Sequence, residues 1–107
     1  MKKRGEIWWI NFDPSVGQEV SKKRPAIVVS NDVSNKYLKR YQVVPLSTQV
    51  NKLYPSETLI KVKRKDNKAM ADQLTTVSEL RFMEKIGKVT NGELKEIERI
   101  IRLQLDL

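Results

Sequence analysis

The sequence contains no cysteine and no histidine among its 107 residues. Without cysteine the chain can form no disulfide, no thiolate nucleophile and no cysteine-ligated metal site. Without histidine it lacks the commonest general acid–base group and the commonest metal ligand. Any catalysis must therefore use carboxylates, hydroxyls, lysines or arginines, and we expect no metal site.

Glycine and proline are also scarce, with four of each, and no repeat or linker is visible. The longest apolar runs, such as Ala26–Val29, are far too short to cross a bilayer, and no apolar signal segment follows the basic start at Lys2–Arg4. We expect a single domain over residues 1–107, no membrane association and a cytoplasmic location. A domain of this size has a modest core, so dimerisation would cover more apolar surface.

Positive charge is in excess. The chain has 21 Lys and Arg against 13 Asp and Glu, a formal net charge of +8. Such an excess attracts polyanions, and RNA or DNA is the usual one. Solvated charge on a small stable domain is the alternative that composition leaves open.

Short apolar runs separated by turn residues predict a mainly β domain. The predicted strands are Glu6–Phe12, Pro25–Ser30, Tyr41–Leu46, Glu57–Val62 and Lys68–Leu74. Asp13–Gly17 has the composition of a turn, and Gln18–Lys23 that of an exposed basic loop. Asn31–Tyr37 is predicted as a loop and Arg64–Asn67 as a turn.

The last segment is predicted to be an amphipathic helix. Thr90 and Glu93 have the spacing of a capping box. One apolar stripe follows, formed by Leu94, Ile97, Ile100, Ile101 and Leu105. On the outer face, Glu98 and Arg102 stand four residues apart and can pair. Short strands followed by one such helix indicate a small twisted barrel or curled antiparallel sheet with a C-terminal α-helix.

Several motifs follow one another in an order and spacing shared by one known family. They are Arg4–Trp9, Asp13–Glu19, Arg24–Ser30, Asn31–Asn35, Pro45–Thr48, Ala71–Gln73 and the C-terminal helix. Together they cover nearly the whole chain, which resembles the MazF/PemK-type toxins. The resemblance implies a CcdB/PemK-type (SH3-like) barrel, a homodimer, and cleavage of single-stranded RNA regulated by a cognate antitoxin. The net charge predicts that this antitoxin is acidic.

The chemistry of RNA cleavage agrees with what the chain lacks. The 2′-OH next to each scissile phosphate is a built-in nucleophile, so the enzyme needs neither a Ser or Cys nucleophile nor a metal or other cofactor. It must help remove the 2′ proton, stabilise charge at phosphorus and protonate the leaving 5′ oxygen. Attack by the 2′-OH would leave a 2′,3′-cyclic phosphate and a 5′-OH.

The resemblance also implies catalytic residues. Arg24, in the Arg-Pro step, matches the catalytic arginine, and its guanidinium fork suits phosphate oxygens. Thr48 matches the catalytic threonine, whose hydroxyl can donate to a phosphate oxygen or accept from a 2′-OH. Glu19 and Asp72 match acidic family positions and are candidate bases. Either could equally be a structural carboxylate that caps a turn or pairs with Arg24.

Further polar residues are candidates for binding RNA. They are Lys22, Lys23, Ser47, Gln49, Lys52 and Gln73. Trp8 and Trp9 could stack on bases, but aromatic residues fill small barrels, so burial in the first strand is the expectation for both. The chain departs from the family pattern at Gln18 and Val20, where histidine and glutamine occur in relatives, which affects loop contacts rather than the basic chemistry.

Two other functions are considered. A CcdB-like gyrase poison shares the fold, but that activity relies on a Trp-Gly-Ile-like C-terminus, whereas this chain ends in Leu103–Leu107. A non-catalytic nucleic-acid-binding barrel would satisfy the charge alone. It would make no demand for Arg24 and Thr48 together.

Overall fold

The computed structural model describes all of residues 1–107. In chain order its elements are β1 (Glu6–Asn11), β2 (Lys23–Val28), α1 (Asp32–Tyr37), β3 (Arg40–Ser47), β4 (Glu57–Val62), β5 (Lys65–Met70), β6 (Thr75–Ser78), β7 (Phe82–Lys88) and α2 (Asn91–Leu105). Two single-turn 3₁₀ helices, Ala71–Gln73 and Glu79–Arg81, flank β6. Neither α-helix combines the length and apolar character needed to span a bilayer.

All seven strands join in one antiparallel sheet in the order β4-β5-β3-β2-β1-β7, with β6 attached to β3. One edge of β3 pairs with β2. The other edge is divided: Arg40–Val43 pairs with β6, and Leu46 and Ser47 pair with β5. Because two strands share one edge of β3, the sheet curls there. The prediction of a mainly β, curled antiparallel fold with a C-terminal helix is confirmed.

The sheet buries a separate apolar cluster on each face. One cluster combines Ile7, Ile27, Val44 and Leu46 of the sheet with Ile97 and Ile100 of α2. The other lies inside the curl and consists of Ile10, Phe12, Ala26, Val28, Tyr41, Val43 and Val77. Alternate residues of β1, β2 and β3 supply the two clusters, as the period of two in a strand requires.

Helix α2 begins as predicted. The Thr90 hydroxyl accepts from the Glu93 backbone N–H at 3.1 Å, and the Glu93 carboxylate accepts from the Thr90 backbone N–H at 2.9 Å, which completes the capping box. The apolar stripe is buried in the middle of the helix, but Leu105 is exposed. Glu98 pairs with Arg4 and not with Arg102, so the predicted pair within the helix is wrong.

The second strand runs from Lys23 to Val28, whereas Pro25–Ser30 was the prediction, because Lys23 and Arg24 already pair with β1.

Two further segments differ from the predicted elements. Asn31–Tyr37, predicted as a loop, contains α1, because the Asn31 side chain accepts from the Ser34 backbone N–H at 2.8 Å and caps the helix. The fifth strand begins at Lys65, not Lys68, and ends at Met70. Its turn consists of Lys63 and Arg64 alone, both with positive φ, so Val62 pairs with Lys65.

Strands β6 and β7 were not predicted. In β6 only Val77 is buried, and in β7 no residue is. Strands with so little burial lack the apolar alternation that sequence analysis depends on. Strand β7 pairs with β1 through irregular register shifts and forms one edge of the sheet.

Glu6 ties β1 to this edge. Its carboxylate accepts from Lys85 Nζ at 2.8 Å, from the Lys3 backbone N–H at 2.8 Å and from the Trp8 indole at 3.1 Å. Burial alone would raise the pKa of Glu6, but these donors outweigh it and hold the pKa below the ordinary value. The charged carboxylate therefore stabilises the folded state.

Replacing Glu6 tests this contribution through its pH dependence. A folded pKa below the unfolded one gives stability that is present above the unfolded pKa and is lost as the pH falls through the folded pKa. We expect Glu6→Gln to lower the free energy of unfolding by about 1 kcal/mol at neutral pH. The difference in the free energy of unfolding between the variant and the wild type should narrow below about pH 4.3, the ordinary pKa of a glutamate side chain.

Urea unfolding across this pH range makes the measurement. Glu84→Gln is the matched control, because Glu84 is an exposed carboxylate of β7 with no ion pair. It should behave like the wild type. A gap for Glu6→Gln that stayed constant from neutral to acid pH would contradict the account.

Candidate active site

A groove of about 510 Å³ lies where β2 and the end of β3 face the β4–β5 hairpin. Its lining includes five cationic side chains and no carboxylate. The cationic residues are Lys22, Lys23, Arg24, Lys63 and Lys65. The rest of the lining is Trp9, Pro25, Leu46, Ser47, Thr48, Val62, Asn67 and Ile86. We call this the basic groove, and its charge suits a polyanion.

A second cavity of about 240 Å³ adjoins the basic groove, and Arg24 and Ser47 line both. The other residues of this side cavity are Gln18, Glu19, Val20, Ser21, Gln49, Lys68, Met70 and Gln73. A ligand bound at Arg24 can therefore be reached from both spaces.

Arg24 is fixed at one nitrogen and free at the others. It lies in β2 opposite Ile10 of β1, and its Nε donates to the Ser21 carbonyl at 3.0 Å. Its Nη groups make no hydrogen bond or ion pair within the chain. The side chain thus presents an oriented guanidinium fork whose outer donors are available to a phosphate.

Ser47 and Thr48 lie at the end of β3 and differ in exposure. Ser47 is buried, and its Oγ accepts from the Gln49 backbone N–H at 3.1 Å, so it shapes the exit from the strand. Thr48 is exposed, lines the basic groove, and its hydroxyl has no partner in the chain. The structure therefore brings Arg24 and Thr48 together on one groove.

Of the two candidate carboxylates, only Glu19 lines a cavity that also contains Arg24. Glu19 lines the side cavity, and one of its oxygens caps a turn by accepting from the Val16 backbone N–H at 2.8 Å. Asp72 lies in the first 3₁₀ helix and lines a third cavity, of about 310 Å³, which Glu19 also lines and which contains neither Arg24 nor Thr48. Neither carboxylate pairs with Arg24.

The remaining predicted RNA-binding residues are divided between the basic groove, the side cavity and the surface outside both. Lys22 and Lys23 line the basic groove, and Gln49 and Gln73 line the side cavity. Gln73 holds the basic loop: it accepts from the Val20 backbone N–H at 3.0 Å and donates to the Gln18 carbonyl at 3.3 Å. Lys52 lines neither space, and its Nζ lies 5.0 Å from the centroid of the Tyr54 ring.

Sequence reasoning missed the β4–β5 side of the groove. Lys63 lies in the two-residue turn and Lys65 directly follows it, whereas sequence analysis placed the turn at Arg64–Asn67. Lys63 and Arg64 occupy left-handed positions where Asn-Gly is the usual signal for such a hairpin turn. Because Lys63 and Arg64 stand in place of Asn-Gly, the sequence does not indicate a hairpin turn at these two residues.

The segment after Thr48 is held by a buried ion pair. Lys68 Nζ donates to the Glu57 carboxylate and to the Lys52 carbonyl, each at 3.1 Å. The same Glu57 oxygen accepts from the Tyr54 backbone N–H at 2.8 Å. This network fixes the loop that follows the candidate threonine.

The family model for the "PemK-like, MazF-like toxin of type II toxin-antitoxin system" matches residues 3–105. The chain belongs to the PemK/MazF family. It is 36% identical over 116 residues to endoribonuclease MazF9 of Mycobacterium tuberculosis, with 100% of this chain and 98% of that protein covered. The family resemblance identified from the sequence is confirmed.

Solved structures have the same fold. The crystal structure of MazF from Deinococcus radiodurans superposes with a TM-score of 0.87 at 23% identity and covers 99% of this chain and 97% of that one. An endoribonuclease in complex with its cognate antitoxin, from a mycobacterial species, superposes with a TM-score of 0.84 at 18% identity. That match covers 100% of this chain and 97% of the other.

In this PemK/MazF-family chain, Gln73 should act on the loop that carries Glu19 rather than on the fold. We expect Gln73→Ala to lose about 1 kcal/mol of stability for each hydrogen bond removed and to expose the Val20 amide. Hydrogen exchange should then speed up at Val20 and its loop neighbours, while the amides of β3 stay protected.

Gln42→Ala is the matched control for this measurement. The Gln42 side chain donates to Thr76 Oγ1 at 2.9 Å between β3 and β6, away from the basic loop. It should leave exchange at Val20 unchanged. Equal protection of Val20 in the wild type and in Gln73→Ala would show that Gln73 does not hold the loop.

Proposed function

We propose that this chain is a metal-independent, sequence-specific endoribonuclease toxin that cuts single-stranded RNA by attack of the 2′-OH on the adjacent phosphate. The observation that carries the proposal is the pair of free donors, the Arg24 Nη groups and the Thr48 hydroxyl, in a groove with five cations and no carboxylate. The similarity to an endoribonuclease over the full chain supports it.

The proposed reaction is an internal transesterification. The 2′ oxygen forms a bond to phosphorus while the bond from phosphorus to the 5′ oxygen breaks. The 2′ proton passes to a base, and the departing 5′ oxygen receives a proton. Arg24 donates to the non-bridging oxygens as negative charge grows on them, and Thr48 donates to the phosphate or accepts from the 2′-OH.

Glu19 is the better placed of the two candidate bases. The side cavity that Glu19 lines also contains Arg24 and Ser47. One Glu19 oxygen caps the turn at Val16, and the other makes no hydrogen bond within the chain. Asp72 takes part only when RNA extends into the third cavity.

Lys22, Lys23, Lys63 and Lys65 hold the RNA backbone along the basic groove, with Ser47, Gln49 and Gln73 contributing from the side cavity. The proposed role of Lys52 is to contact RNA beyond Thr48.

An acidic antitoxin inhibits the proposed enzyme by occupying the same cations in the basic groove. One structural neighbour is an endoribonuclease in complex with its cognate antitoxin, which supports an arrangement of this kind. We propose that the enzyme and its antitoxin are located in the cytoplasm, where the RNA is. A homodimer is supported by apolar side chains left exposed near the edge strand β7, such as Leu80 and Met83.

Gyrase poisoning and non-catalytic binding predict other outcomes in the same assay. A gyrase poison would trap cleaved supercoiled DNA in the presence of gyrase and leave RNA intact. A binding module would shift RNA without cutting it. Neither alternative requires the free donors of Arg24 and Thr48 to lie on one groove.

Removing either donor should abolish cleavage while the fold persists. We expect Arg24→Ala and Thr48→Ala each to lower the rate of RNA cleavage about a hundredfold or more, because each donor is aimed at charge that develops in the transition state. Arg24→Lys keeps the charge but not the fork, so it should remain impaired.

Circular dichroism checks folding, and Lys95→Ala is the control. Lys95 is an exposed cation of α2 outside the groove, so its loss should leave the rate near that of the wild type. A folded Arg24→Ala protein that cut RNA at the wild-type rate would remove Arg24 from the mechanism.

The nucleophile can be tested on the substrate. Cleavage should proceed in excess EDTA and leave a 2′,3′-cyclic phosphate and a 5′-OH. Deoxyribose at the single position 5′ to the cut should stop the reaction while binding persists, since most contacts are to phosphates and bases. If the same bond were still cut in that oligonucleotide, water or a protein group would be the nucleophile.

A further inference from the structure

Trp8 and Trp9 are neighbours in β1 but lie on opposite faces of the sheet. Trp8 is half-buried, packs edge-to-face on Phe82 with ring centroids 5.8 Å apart, and donates its indole N–H to Glu6 at 3.1 Å. Trp9 is 36% exposed and lines the basic groove. The expectation that both tryptophans are buried is therefore wrong for Trp9.

Trp9 also differs from Trp8 in the hydrogen bonding of its indole N–H. No hydrogen-bond acceptor in the chain meets its indole N–H, whereas the Trp8 indole is occupied by Glu6. A large aromatic face left open to water is unfavourable for a small protein, and tryptophan usually finds a partner for its N–H. Nothing within the chain supplies that partner.

The position of Trp9 in the basic groove is set by its pairing with β2. Trp9 is the register partner of Pro25 in β2, directly beside Arg24 in the chain. Directly opposite residues of an antiparallel pair place their Cβ atoms about 5 Å apart on one face. Trp9 and Pro25 thus form an apolar patch, and this patch and Arg24, which holds the scissile phosphate in the proposed function, line the same groove.

The chemistry around this patch defines its partner. The cations of the basic groove require negative charge, and the open indole requires a flat, polarisable face. A nucleotide combines both, since its phosphate can meet Arg24 while its base lies on the ring. Stacking of this kind tolerates any base, because every base has a π-face.

We propose that Trp9 is the stacking platform for a base next to the scissile phosphate, and that this contact selects single-stranded over double-stranded RNA. The inference rests on the proposed function and deepens it. A base within a duplex is already stacked and paired, so it must leave the helix to reach Trp9. A base in a single strand reaches Trp9 without losing pairing.

Fluorescence tests the contact directly, because Trp8 and Trp9 are the only tryptophans. Trp8→Phe leaves Trp9 as the sole reporter, and Trp9→Phe is the matched control that leaves Trp8. The probe is single-stranded DNA of random sequence and about 20 nucleotides, longer than a typical binding site and lacking the 2′-OH needed for cleavage.

The two variants should give opposite results with this probe. Emission of the Trp8→Phe protein should be quenched to saturation, and emission of Trp9→Phe should not change. Quenching of Trp8 but not of Trp9 would overturn the proposal. So would bound DNA that leaves the emission of Trp9 unchanged.

Cleavage kinetics test the selectivity. We expect Trp9→Ala to raise KM for single-stranded RNA about tenfold, with kcat nearly unchanged, because stacking adds affinity rather than transition-state stabilisation. Its preference for single-stranded over duplex RNA should fall by a similar factor. Trp9→Tyr keeps an aromatic face for stacking, so it should restore most of the wild-type KM and of the preference for single-stranded RNA. If Trp9 had only a structural role, recovery would not depend on an aromatic ring at this position.

The outcomes separate this inference from the proposed function. Normal KM and normal strand preference in a folded Trp9→Ala protein, with cleavage intact, would remove Trp9 and leave the enzyme standing. Failure of the wild type to cut any RNA would refute the proposed function, and the fluorescence result would still decide whether bases stack on Trp9.

Discussion

Strand β3 exchanges one neighbour for another partway along a single edge, and the groove exists because of that exchange. Its first half is bound to β6 and its end to β5, so the sheet must bend between them. The bend brings the β4–β5 hairpin to face β2 across the end of β3. Lysines from the hairpin therefore line the same groove as Arg24 and Thr48.

The residues around the groove fall into two sets: one set holds the neighbouring loops in place, and the other provides the groups proposed to react. The side chains of Ser47, Gln73 and Lys68 form hydrogen bonds with backbone groups or carboxylates of nearby loops. By contrast, the Nη groups of Arg24 and the hydroxyl of Thr48 have no partner in the chain. A reactive group is most effective when its neighbours have already fixed its backbone, because little ordering then remains for the moment of reaction.

The sequence predicts the buried strands and the capped C-terminal helix of this molecule, but not α1, although Asn31 caps it. The α2 capping box and the first four strands follow from periodicity and turn chemistry, and Arg24 and Thr48 from family motifs. Strands β6 and β7 could not be predicted, since they bury almost nothing. The exposure of Trp9 depends on where β1 crosses the groove, and the contribution of Lys63 depends on a left-handed turn without the usual Asn-Gly. Such features arise from long-range pairing.

The loop that leads to Arg24 is held by residues far later in the chain. Arg81 donates to the carbonyls of Asn11 and Asp13 at 3.0 and 2.6 Å, and Gln73 binds the same loop. The core beneath is closed only by Ile97 and Ile100 of α2. A chain still being synthesised therefore carries its arginine on an unanchored segment beside an open core, because a domain folds as a unit.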